Sequence, residues 1–230
     1  MSVARKIASK LLPHHGNPKL TSPPGKIPIG EGKPVLVKSK MRSGTHLLID
    51  LILNNFPQLR TESLYVELDH AYHQSISADK FSNLGKCLCK THYGGKNGQK
   101  LREDITQAVA QRAYIIEPAR DLEQMKSSLQ NFLNEEGYQD YLDTSKKFDK
   151  YWQDADCLQI PFEDLICKKG NDRAVKAIAK YIGEQPSKKL YYNRSKNEAK
   201  KILVEKLLTR IRGTNQRRVN TTIQFNANQH

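Results

Sequence analysis

Apolar residues in this chain follow two rhythms. Val35, Leu36 and Val37 form a short run rich in β-branched residues, and Ala113 to Ile116 and Cys157 to Ile160 form two more. Each reads as a buried strand, as does Lys86-Cys-Leu-Cys-Lys-Thr91. Elsewhere the apolar positions recur three and four apart. Leu47, Leu48, Leu51 and Ile52 share one helical face, and Ala199, Ile202, Leu203, Leu207 and Ile211 share another that Gly213 closes. Strands are expected near 34–38, 86–91, 112–117 and 157–160, and helices near 45–55, 121–134, 172–182 and 196–211. This alternation predicts an α/β fold of three α/β/α layers around an open, mainly parallel sheet.

The turn between the first strand and the first helix carries the chemistry. Residues 38–45 are small and basic, and they end where a helix begins. Unpaired backbone N–H groups and the helix dipole then point into the loop, which makes it an anion cradle. Gly44 allows close backbone approach, Ser43 and Thr45 offer hydroxyls, and Arg42 adds a fixed charge. The nucleotide-triphosphate loop G-x-x-x-x-G-K-[ST] does not fit, because position 39 is serine and the residue after Gly44 is Thr45.

Further motifs follow in a fixed order. Met41-Arg-Ser-Gly-Thr-His-Leu-Leu48 resembles the phosphosulfate-binding loop of sulfotransferases that use 3′-phosphoadenosine 5′-phosphosulfate (PAPS). Arg120, with Ser128 eight residues on and Phe132 four beyond, resembles that family's 3′-phosphate motif. Lys90-Thr91-His92 resembles its strand-end K-T-H, and Phe162-Glu-Asp-Leu165 its [YF]-E-D-L. The stretch from Ala174 to Gly183 is similar to the family's helix ending in F-[LI]-G. The likeness covers about residues 34–183.

The resemblance implies a P-loop NTPase-like sheet and sulfuryl transfer from PAPS, as cosubstrate, to an acceptor hydroxyl or amine without a metal. His92 would be the base, Arg42 would stabilise the leaving nucleotide and Lys90 would hold sulfuryl oxygens. The nucleotide would lie against Arg42, Ser43, Gly44, Thr45, His46, Leu47, Arg120, Ser128 and Phe162, with Arg212 and Gly213 as a second 3′-phosphate contact. The chain also departs from the pattern. Arg42 replaces the family's lysine, Leu47 replaces a tryptophan that often stacks on adenine, and the C-terminal R-K-G appears only as Ile211-Arg212-Gly213.

Charge is unevenly spread, which bears on partners. The net charge is +14, yet residues 34–187 hold 21 charges of each sign. The excess lies in residues 1–33 and 188–218. Such ends would draw an anionic nucleotide or an acidic or carbohydrate acceptor, or they simply solvate a helix face. Nucleic acid is a poor fit, since no aromatic interleaving accompanies the charge. An ATP-dependent small-molecule kinase of P-loop type and a non-catalytic module binding a polyanion or nucleic acid are the alternative functions.

Residues 1–33 read as a basic, Pro- and Gly-containing lead-in to a single domain over 34–230. Residues 60–82, with Asp69, His70, Tyr72 and His73, read as a substrate-facing segment. The four cysteines lack C-x-x-C spacing, so buried free thiols are expected. No run reaches the ~18–20 apolar residues of a membrane span. A cytoplasmic protein is expected, with residues 1–12 faintly reminiscent of a transit peptide.

Overall fold

The computed structural model describes residues 27–62, 64–69, 76–95, 99–130 and 133–193. The expected helix 196–211, the Arg212 and Gly213 contact, His70, Tyr72, His73 and Phe132 lie outside the described residues.

Five strands form one sheet: β1 (Val35–Lys38), β2 (Val66–Glu67), β3 (Leu88–Thr91), β4 (Tyr114–Ala119) and β5 (Cys157–Pro161). Their order is β2-β3-β1-β4-β5, and every pairing is parallel. Seven helices of the described residues flank it. They are α1 (Thr45–Asn55), α2 (Ala78–Ser82), α3 (Lys100–Ala110), α4 (Leu122–Gln130), α5 (Glu135–Tyr151), α6 (Phe162–Ile166) and α7 (Lys168–Ile182).

The two rhythms of the sequence explain the layers. Successive strand side chains point to opposite faces. Val35 and Val37 pack with the apolar stripe of α1 and with Ala174, Val175 and Ile178 of α7. Leu36 faces the other way and packs with Phe81, Ile105, Val109 and Phe148 from α2, α3 and α5. Both faces of β1 are therefore covered, which is why its apolar run is continuous instead of alternating.

After β1 the chain moves toward β2, whereas after β4 it moves toward β5. The crevice between the C-terminal ends of β1 and β4 is thus a topological switch point, where ligands collect in open α/β sheets.

Several boundaries differ from the sequence reading. The 60–82 segment contains the edge strand β2 and the short α2, because a two-residue strand is too short to show periodicity. Three further helices had no counterpart among the expected elements: α3, the short α6, and α5, which Asn134 caps by accepting from the Gly137 N–H at 2.9 Å. The helix expected at 172–182 starts a turn earlier, at Lys168, where Cys167 Sγ caps Gly170 N–H. Residues 27–33, expected as lead-in, are bound to the chain before β3. Ile29 bridges Leu84, and Glu31 O accepts from Lys86 N at 3.0 Å. All four cysteines are free, but only Cys87 and Cys89 are buried, while Cys167 is exposed.

Gly170 lets α7 lie directly on α6, since a Cβ there would run into the Asp164 backbone. Gly170→Ala is expected to cost about 1–3 kcal/mol, as overpacking of rigid backbone does. A thermal melt lowered by several degrees checks this, and an unchanged melt would show that α6 yields freely.

Candidate active site at the strand ends

The β1–α1 loop is a tight, internally bonded turn. Gly44 takes φ 104° as the residue before α1 and makes no side-chain cap. No acid stands in the helix's first turn to offset its dipole. Ser43 Oγ donates to Lys40 O at 2.8 Å, and Thr45 Oγ1 bonds Ser39 Oγ at 2.8 Å. Both hydroxyls therefore stiffen the loop. Phe162 at the start of α6 covers Gly44 so closely that a Cβ there would sit 2.9 Å from the ring.

Arg42 occupies the left-handed region at φ 67°, a conformation that a side-chain-bearing residue holds only when its surroundings fix it. Here they do. Arg42 Nε donates to Ser128 Oγ of α4 at 3.0 Å, and Arg120 donates to the Arg42 carbonyl at 3.0 Å. The Arg120 guanidinium lies 4.0 Å above the Phe162 ring, a cation–π contact. Its Nε is buried without a hydrogen-bond acceptor among the described residues. Burial and the charge of Arg120 together push the Arg42 guanidinium below its ordinary pKa. Residues 42, 44, 120, 128 and 162, scattered across the sequence, are thus one cluster. His46 and Leu47 are half-buried in the first turn of α1, and Asn193 Nδ2 donates to the Leu47 carbonyl at 3.0 Å.

The loop is also tied to α5. Tyr141 donates to Met41 O at 2.9 Å, and Lys40 pairs with Asp149 at 2.7 Å. A cleft of about 430 Å³ opens beside it, between Lys40, Arg120, Gln124, Asp149 and Glu163.

His92 follows β3, whose C-terminal end adjoins that of β1. Its Nδ1 lies 2.6 Å from the Ser39 carbonyl. A carbonyl only accepts, so Nδ1 carries the hydrogen and the neutral ring keeps its lone pair on Nε2. Burial, with the nearby Lys90, pushes the ring down to about 4, against the upward pull of Asp69 and the Ser39 carbonyl. The ring is therefore neutral at physiological pH.

Lys90 is placed differently from its expected role. It is 2% exposed, and its ammonium binds Glu67 of β2 at 2.6 Å. Burial outweighs that pairing and pushes the Glu67 carboxyl up to about 7. A second buried pair, Lys38 with Glu117 at 2.5 Å, lies across β1 and β4. Asp69, Arg102, Ser39 and Asp149 complete the surroundings. Asp69 lies in the segment read as substrate-facing and Ser39 in the anion loop, whereas Arg102 and Asp149 had no expected role, and no local pattern marks those two, since their partners lie tens of residues away.

Fold and site together define an open parallel α/β protein with a cationic loop–helix cradle at its switch point. No protein-family model, curated protein or solved structure matches the chain. Among the described residues no helix is long and apolar enough to cross a membrane.

Proposed function

We propose that this protein is a sulfotransferase that uses PAPS. One observation carries the reading: Arg42, Gly44, Arg120, Ser128 and Phe162, drawn from three separate motifs, meet at the β1–α1 loop, with His92 at the neighbouring strand end. Two arginines brought together, one of them bonded to a serine hydroxyl, call for an anion. The buried Nε of Arg120 offers a donor for one of its oxygens.

PAPS would supply the sulfuryl group, which an acceptor oxygen or nitrogen takes while 3′-phosphoadenosine 5′-phosphate departs. The chain's own part is positioning and charge neutralisation. Arg42 and the first N–H groups of α1 face the charge that develops on the leaving side. Arg120 and Ser128 hold the 3′-phosphate, which separates this donor from ATP. Because Ser128 also binds Arg42, occupancy of the 3′-phosphate site orients the loop arginine. Phe162 offers a ring face beside them. His92 Nε2 receives the acceptor's proton. Lys90 takes no part in donor contacts in this reading, because Glu67 already holds its ammonium.

The donor assignment is tested by thermal shift. 3′-Phosphoadenosine 5′-phosphate is expected to raise the melting temperature well above the effect of 5′-AMP, ATP or a DNA duplex, since a ligand stabilises the state that it binds. Arg120→Ala is expected to erase most of the difference between the first two. Equal stabilisation by both nucleotides would remove the 3′-phosphate site, and a preference for ATP or DNA would favour a kinase or a polyanion-binding module.

A further inference from the structure

Asp69, just beyond β2, accepts from three different residues. Its Oδ2 accepts the His92 backbone N–H at 2.5 Å. Its Oδ1 accepts the Thr91 hydroxyl at 2.9 Å and both Nε and Nη2 of Arg102, at 2.9 and 2.7 Å. Thr91 Oγ1 in turn accepts the Tyr93 N–H at 3.0 Å. Three successive residues, 91 to 93, are therefore gathered around one carboxylate. From His92 the chain of bonds continues through Nδ1–H to Ser39 O, and from Ser39 Oγ to Thr45 at the start of α1.

The arrangement follows from strand register. Glu67 lies opposite Lys90 in the parallel β2–β3 pairing, so two residues further on Asp69 comes level with His92. The sheet ends there, and the amide of His92 has no next strand to bond. A carboxylate supplies the missing acceptor. An alanine or leucine at position 69 would leave that N–H open and the imidazole free to swing away from Ser39.

We infer that Asp69 is the positioning residue for His92. It fixes the height of the imidazole above the β1–α1 loop and so sets where Nε2 meets the acceptor, while Arg102 of α3 serves as its counter-ion. The inference rests on the sulfotransferase reading for its consequence in turnover, but not for its geometry. Among the described residues, the charged groups acting on the ring are Lys90 on β3, Asp69 after β2 and Arg102 on α3. Of these, Asp69 draws a proton toward His92, whereas Lys90 and Arg102 repel it. Burial would raise the Asp69 carboxyl, but Arg102, His92 and Lys90 outweigh it and hold the group below its ordinary pKa. Asp69 is therefore charged throughout the working range.

The test uses the full chain and two substitutions. Asp69→Asn keeps the size but loses the charge and one acceptor. Arg102→Gln changes a partly exposed helix residue and leaves Asp69 in place. Imidazole ¹⁵N spectra of the protein without substrate, with His92 assigned from His92→Ala, are expected to show opposite shifts. The His92 titration moves down in Asp69→Asn and up in Arg102→Gln. In turnover, Asp69→Asn is expected to lower kcat by about 10²-fold, the scale of a misplaced reacting group, with KM for PAPS unchanged. Asp69→Glu is expected to recover part of that loss. Unchanged His92 ring signals in both variants would overturn the inference, as would full kcat in Asp69→Asn. Should Asp69→Asn not fold, Arg102→Gln alone decides through the direction of its shift. Opposite ring shifts in a parent protein that transfers no sulfuryl group would leave the positioning role standing and overturn the proposed function instead.

Discussion

His92→Ala is expected to lower turnover by about 10²–10⁴-fold, the range for loss of a general base, and to leave binding of 3′-phosphoadenosine 5′-phosphate near the parent level. The split is expected because His92 stands on the β3 end and bonds Ser39, whereas the arginines proposed to hold the nucleotide follow the β1 and β4 ends. The pH profile carries a second mark of the same group. A ring held near 4 is already deprotonated at neutral pH, so the acidic limb of kcat/KM is expected well below the ~6.5 of an ordinary histidine and is absent in the mutant. Stability follows the same sign. Between about 4 and 6.5 the unfolded chain binds a proton at His92 that the folded chain does not, so His92 makes the fold weaker as pH falls through that window. Glu67, pushed up to about 7, acts in the opposite direction. An aliphatic alcohol is the appropriate acceptor for the assay, since a phenol loses its proton more readily. Parent-level turnover with normal nucleotide binding would transfer the base role away from His92.

Arg42→Ala is expected to lower turnover by roughly 10²–10³-fold, the scale for removing one preorganised charge-stabilising group. Nucleotide affinity is expected to fall less, because Arg120, Ser128 and the α1 N–H groups remain. Arg42→Lys keeps the charge and a donor within reach of Ser128, and substantial activity is expected of it. It loses the planar fork, so full parity with the parent is not expected. Steady-state kinetics beside calorimetric titration of 3′-phosphoadenosine 5′-phosphate separates the two effects. A fully active Arg42→Ala protein would mean that the loop handles its anion through backbone alone.

Much of the frame was legible in the residues themselves. Four of the five strands, the α1 helix and the parallel layering follow from β-branched runs and from apolar spacing, because burial on one or both faces writes a period into the sequence. The loop's place between a strand and a helix start was likewise readable. What local pattern did not reveal was short or weakly apolar. β2 has only two residues, and α3 and α5 bury few of theirs.

The fate of each charged side chain was decided in three dimensions. Lys90 and His92 look equivalent in sequence, two apart on one strand, yet Glu67 captures one while Ser39 orients the other. Asp69 gains its place only because β2 pairs β3 in a register that brings it level with His92. Arg42 and Ser128 lie 86 residues apart and meet because the chain reverses direction at the switch point between β1 and β4. Hydrophobic patterning is local and survives in the sequence, whereas a hydrogen bond between distant residues is set by strand order and register.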